Sequence, residues 1–183
     1  MKYTHLYLII TLVFLGLSCK KDPETAGASV VKGCMDSNAY NFNSSATEDN
    51  GNCVYIKTTM YEVTYYAKYK EDGSTWDAVI NTKADLILRI KEQGANTWMF
   101  ESSVMNNQND TVPAQWNAPT VEKLKNKTYE WELLDDETIG SPETIATGSF
   151  NPINDANNNE IVSKHTDANG LETQIKVYYF LQK

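Results

Sequence analysis

From Thr58 to the C-terminus, short runs of β-branched and aromatic residues are bounded by Gly, Asn, Asp, Ser and Pro, and none carries the i, i+3, i+4 spacing of a long amphipathic helix. A chain written this way cannot bury its apolar side chains along helix faces, so it must pair strands. Met60 to Tyr69 is rich in β-formers, Leu86-Ile87-Leu88-Arg89-Ile90 and Trp98-Met99-Phe100-Glu101 follow, and Tyr129 to Leu134 alternates. Gly148-Ser149-Phe150 leads into a loop. Glu160 to His165 and Glu172 to Leu181 flank Asp167-Ala168-Asn169-Gly170, which predicts a hairpin. Val121 to Leu124 suits one helical turn. Short strands at this spacing predict an all-β, antiparallel β-sandwich over residues 58–183.

The N-terminus carries a different message. Lys2, the apolar run Leu6 to Leu17 and the small residue Ser18 give the order of a secretory signal, too short to span a bilayer comfortably. Leu15-Gly16-Leu17-Ser18-Cys19 resembles the lipobox of bacterial lipoproteins, with Gly16 where most carry Leu. The resemblance implies that residues 1–18 are a removable signal peptide, that Cys19 is acylated, and that residues 19–32 are a linker after a lipid anchor. Cys19-Lys20-Lys21-Asp22-Pro23-Glu24 is similar to the lysine-then-acid signal of Bacteroidota lipoproteins. That similarity implies lipid anchoring in the outer membrane with exposure at the cell surface.

With 16 Lys and Arg against 24 Asp and Glu the net charge is −8, and processing removes Lys2 but no acid. This balance argues against a nucleic-acid partner, whose phosphates need a basic footprint. Once Cys19 is assigned to lipid, Cys34 and Cys53 remain as an even pair in an oxidising compartment, the setting for a disulfide. Residues 33–55 resemble a short module of secreted and surface Bacteroidota proteins, matched at Gly33, Cys34, Asp36, Ala39, Asn41, Ala46, Gly51 and Cys53. So short a segment cannot order itself by burial, and a bridge closing about twenty residues supplies roughly 3 kcal/mol by restricting the unfolded chain. Tyr40 and Phe42 are expected to cover the bridge. The side-chain oxygens of Asp36, Asn38, Asn43, Glu48, Asp49 and Asn50 either cap their own turns or hold calcium.

Three segments of the main domain, in order, resemble the C-two domain, the calcium-dependent phospholipid-binding sandwich of protein kinase C and synaptotagmin. Trp76-Asp77 with Ala84 to Ile90 is similar to its first calcium loop and following strand, and Val112-Pro113-Ala114-Gln115-Trp116-Asn117 to its Asn-Pro-x-Trp-Asn turn. Asp135 to Glu143, followed by Gly148, is similar to its third calcium loop. The resemblance implies a C-two-like fold and a calcium site built from Asp77 and Asp85 of the first loop and Asp135, Glu137 and Glu143 of the third. Calcium takes about six to eight oxygen ligands, commonly carboxylates, which is why acids gather in such loops. The alternative is that these acids are solvated turn residues. Val79, Ile80 and Ile139 would sit at the same tip, either meeting a membrane or folding back on the sandwich.

Of the four tryptophans, Trp98 and Trp131 are expected in the core, whereas Trp76 and Trp116 lie beside loops and are the better candidates for ligand contact. Lys123, Lys125 and Lys127 form a short basic stripe, and Asp110-Thr111-Val112 matches a short O-glycosylation pattern of Bacteroidota. Catalysis finds no constellation: His165 is the one histidine after the signal segment, and no phosphate-cradling glycine loop occurs. The expected function is a non-enzymatic surface lipoprotein module, calcium-stabilised and recognising an extracellular protein, glycan or lipid. The alternatives are an accessory lipoprotein of an envelope machine, such as secretion or gliding, or a glycan-binding surface protein.

Overall fold

The computed structural model describes residues 29–76, 83–137 and 140–183. The expected lipid site Cys19, and Asp77, Val79, Ile80 and Ile139, lie outside the described residues. The elements, in chain order, are β1 (Lys32–Gly33), β2 (Glu48–Asp49), β3 (Tyr55–Tyr65), β4 (Leu86–Glu92), β5 (Phe100–Glu101), β6 (Ala114–Asn117) and β7 (Lys123–Leu124). They continue with β8 (Tyr129–Asp135), β9 (Glu143–Phe150), α1 (Pro152–Asp155), β10 (Ala156–Asn157), β11 (Glu160–Thr166) and β12 (Glu172–Gln182). Two antiparallel sheets face each other, one ordered β10-β11-β12-β3-β6 with β7 also on β3, the other β5-β4-β8-β9. The fold is therefore an antiparallel β-sandwich, preceded by a small disulfide-bridged unit.

Alternation decides which face of each strand is buried. In β8, Tyr129, Trp131 and Leu133 point inward while Glu130 and Glu132 stay partly exposed, and in β12 Thr173, Ile175, Val177 and Tyr179 point inward. Tyr61 stacks on Phe100 across the layers, ring centroids 4.0 Å apart, and Tyr129 stacks on Phe150. Trp131 ties the sheets together: its Nε1 donates to Ser163 Oγ (2.8 Å), and that hydroxyl donates to the Ser149 carbonyl (2.8 Å). Gly148 makes room for the indole, since a Cβ there would lie 2.5 Å from Trp131 Cζ2.

One local expectation is corrected. Lys123–Leu124 is a strand, β7, because β3 begins at Tyr55 and offers Ile56 and Lys57 as partners. The helix of the described residues falls instead at Pro152–Asp155, where the Asn151 side chain accepts from the Ile153 and Asn154 amides. The β11–β12 hairpin forms as expected, with Asp167 Oδ1 accepting from the Asn169 and Leu171 amides and Gly170 at φ +80°.

Cys34 and Cys53 are joined. Cys34 is buried and pairs through the backbone with Phe42, while Tyr40 and Phe42 are 39% and 42% exposed. Asp36 Oδ1 accepts from Asn38 N, Asn43 Oδ1 from Ser45 N, Asp49 Oδ1 from Gly51 N and Asn50 Oδ1 from Asn52 N, so these oxygens serve their own turns. The unit docks on one end of the sandwich: Tyr55 Oη donates to Asp36 Oδ2 (2.8 Å), and Lys183 Nζ donates to Asn52 Oδ1 (2.9 Å). Hydrogen bonding holds the Asp36 carboxyl below its usual range, first through the Asn38 amide and then through Tyr55.

Candidate functional site

The antiparallel order brings the end of β3, the start of β4, the end of β8, the start of β9 and the β11–β12 turn to one end of the sandwich. The disulfide unit occupies the other. An eleven-residue strand such as β3 separates the two by roughly 35 Å at a strand rise of about 3.3 Å per residue.

At the first end Asp135, Glu137 and Glu143 each place a carboxylate oxygen within 4.8 Å of the others. β8 delivers Asp135 as its last residue and β9 delivers Glu143 as its first, and these two are direct partners in the β8–β9 ladder. Pairing thus joins acids that lie eight positions apart. Asp135 is fully buried, Glu137 half-buried and Glu143 exposed. The Asp85 amide donates to Asp135 Oδ1 (2.6 Å) and the Asp136 amide to the Asp85 carbonyl (2.7 Å). These bonds splice the 84–85 segment onto the cluster through the backbone. The Asp85 side chain turns elsewhere: its Oδ1 accepts from the Asn107 amide (2.6 Å) in the 106–108 turn, and Asp85 is not a member of the three-acid group.

A cation from the chain itself faces the acids. The tight 70–74 turn, with Gly73 at φ +85° and Asp72 capping Ser74, places the Lys70 ammonium in an ion pair with Glu143. Burial acts to lower the lysine pKa, but the bond to Glu143 and the fields of Glu143, Glu137 and Asp135 outweigh it and raise the value. Lys70 also sits 5.5 Å from the Trp76 ring centroid. Sequence reasoning missed this lysine, since nothing local marks it; a partner 73 positions away does. Tyr66 was missed for the same reason. Its hydroxyl donates to the Gln108 carbonyl (2.7 Å), and burial, helped by Asp110, Asp135 and Asp85, pushes the phenol up to about 12.

A cleft of about 420 Å³ opens beside the cluster, with Tyr69, Lys70, Trp76, Glu143, His165 and Asp167 on its walls. The donor set of the cluster is all oxygen and all carboxylate, which suits a hard cation such as calcium. One Asp135 oxygen is already committed to the Asp85 amide and one Glu143 oxygen to Lys70, so a metal ion there would compete with the ammonium for Glu143 and need further oxygens to complete its shell.

Three of the four tryptophans reverse their expected roles. Trp76 and Trp116 are each 7% exposed and belong to the core, their indole N–H groups donating to the Ala67 carbonyl (2.7 Å) and the Ser103 carbonyl (2.9 Å). Proximity to loops in sequence did not translate into surface position, because each loop folds back to accept the indole proton. Trp131 is in the core as expected, whereas Trp98 is half-buried outside it, over the cationic groups of Arg89 and Lys91.

No family model and no curated protein sequence matches the chain. Among solved structures it is similar to human GIVD cytosolic phospholipase A2 in complex with methyl gamma-linolenyl fluorophosphonate and terbium chloride, at TM-score 0.43 and 11% identity over 68% of this chain and 17% of that one. It is also similar to a C2 domain (TM-score 0.40, 12% identity, 70% and 100% covered) and to a C2 domain of plant extended synaptotagmin 1 (TM-score 0.37, 14% identity, 71% and 95% covered). The chain spans under a fifth of the phospholipase. These values describe a likeness in strand arrangement; the sandwich itself rests on the pairing given above.

Proposed function

We propose that this chain is a non-catalytic surface module that holds calcium at Asp135, Glu137 and Glu143 and presents that end to an extracellular ligand. The convergence of three carboxylates on one end of a rigid sandwich carries the reading, because like charges brought this close favour a cation among them. Asp77, if it joins them, adds a fourth acid. The polar groups at this end fix one another, Asp135 by the Asp85 amide and Glu143 by Lys70, an arrangement suited to ligand binding rather than proton transfer.

The cellular address rests on Cys19 as a lipid anchor at the outer membrane, exposed at the cell surface, and the Cys34–Cys53 bridge supports an oxidising compartment. Chain entry at the disulfide end then turns the acid cluster away from the anchor. A second reading, an accessory lipoprotein with a protein partner, is favoured by the exposed Met35, Tyr40 and Phe42 of the disulfide unit.

Thermal melting tests the calcium reading. Extracellular calcium modules commonly have Kd of about 10⁻⁴–10⁻³ M, so ~10 mM calcium should stabilise the sandwich by about 1.5–3 kcal/mol and raise its melting temperature by several degrees. Magnesium should substitute poorly, because it demands a smaller and more rigid octahedral shell. Identical curves in calcium and in chelator would refute the reading.

A further inference from the structure

The outer face of the β5-β4-β8-β9 sheet carries a second surface, separate from the acid cluster. Its registers place Arg89 opposite Glu101 and Glu132, Glu132 opposite Thr147, Lys91 opposite Glu130, and Glu130 opposite Ser149. Trp98, in the turn before β5, lies over the β4 cations, with Lys91 Nζ 4.9 Å and Arg89 Cζ 5.9 Å from its ring centroid. The result is a shallow groove of about 410 Å³ walled by Trp98, Lys91, Gln93, Glu130, Glu132, Thr147 and Ser149. Its volume falls within the range of small-ligand sites.

The chemistry of the wall narrows the occupant. Arg89 is taken by Glu101 (2.9 Å) and Lys91 by Glu130 (3.6 Å), while no side-chain hydrogen bond or ion pair holds Glu132 among the described residues. The groove is therefore net negative and rejects phosphates and uronates. A flat indole offers an apolar stacking surface, and carboxylates, an amide and hydroxyls offer closely spaced acceptors and donors. A ligand matching both has an apolar ring face and an edge of hydroxyl donors, which make strong charge-assisted bonds to a carboxylate. We propose that this groove binds a neutral pyranose of a glycan, its ring face against Trp98 and its hydroxyls on Glu132 and Glu130. Trp98 is fixed for that role by Lys91 and Arg89, so little side-chain freedom is lost on binding.

This surface is separate from the acid cluster, so sugar binding and calcium binding can be lost independently. The protein is titrated with neutral gluco-, manno-, galacto- and xylo-oligosaccharides and with uronate-bearing oligosaccharides, following binding by calorimetry. At least one neutral series should bind and the uronates should not. Trp98→Ala should weaken binding roughly tenfold or more, as for a buried aromatic anchor at an interface. Glu132→Gln should weaken it several-fold, which keeps the test informative if the tryptophan variant folds poorly. Asp135→Asn with Glu143→Gln, which disables the acid cluster, should leave sugar affinity unchanged. Absence of binding to every neutral series, preference for uronates, or wild-type affinity in both groove variants would each overturn the proposal.

Discussion

The two ends of this sandwich are both rich in Asp, Asn and Glu, yet they use those oxygens in opposite ways. At the disulfide end Asp36, Asn43, Asp49 and Asn50 each accept a backbone N–H two residues along, so the acceptors are spent locally. At the other end strand pairing brings Asp135 and Glu143 together, Glu137 joins them from just beyond β8, and Lys70 pairs with Glu143. Oxygen-rich composition thus does not say where carboxylates converge. What matters is whether the acceptors face one another or their own backbone.

Breaking the bridge is the largest expected perturbation. Cys34→Ser with Cys53→Ser removes a constraint worth roughly 3 kcal/mol to the closed loop. Because the unit meets the sandwich through few bonds, hydrogen exchange should accelerate across 33–55 while the strands keep their protection and the main melting transition stays nearly in place. Collapse of the whole transition would show that the ends are not independent.

Asp135→Ala acts at the opposite end and should cost about 1–3 kcal/mol by denaturant unfolding, since the Asp85 amide loses its acceptor. Asp135→Asn retains an acceptor oxygen and should recover most of that loss. Equal costs for the two variants would mean that charge, not the hydrogen bond, holds the 84–85 segment.

The smallest effects distinguish the ends by pH. The depressed Asp36 value contributes stability that is present above the ordinary carboxylate range of about 3.9 and is lost as pH falls through the lower folded value. The raised Lys70 value contributes stability that is present below the ordinary lysine value of about 10.4 and is lost as pH rises through the higher folded one. Acid should therefore loosen the Asp36 contacts with Asn38 and Tyr55, and alkali the Lys70–Glu143 pair, each visible as chemical-shift changes at those residues.

Much of the sandwich was legible because alternation is local. The pattern of β8 and the turn chemistry of Asp167 to Gly170 are both written within a few residues. The β7 strand was not legible, since its conformation depends on β3 starting at Tyr55. The resemblance to a third calcium loop singled out the acids at 135, 137 and 143, which the fold gathers, whereas the Asp85 side chain accepts from the amide of Asn107, 22 positions on, which no local pattern marks. Lys70 carried no signal at all, and the tryptophans misled because indole partners are backbone carbonyls that no motif marks.

Calorimetric titration of calcium into wild type and Lys70→Met asks whether the ion and the Lys70 ammonium compete for the same carboxylates. If they do, calcium binds both, several-fold tighter in Lys70→Met because the competing ammonium is gone, and does not bind when Asp135→Asn and Glu143→Gln are combined. No calcium binding to wild type or to Lys70→Met, with both folded, would contradict that competition and leave Lys70 as the permanent counter-ion of these acids.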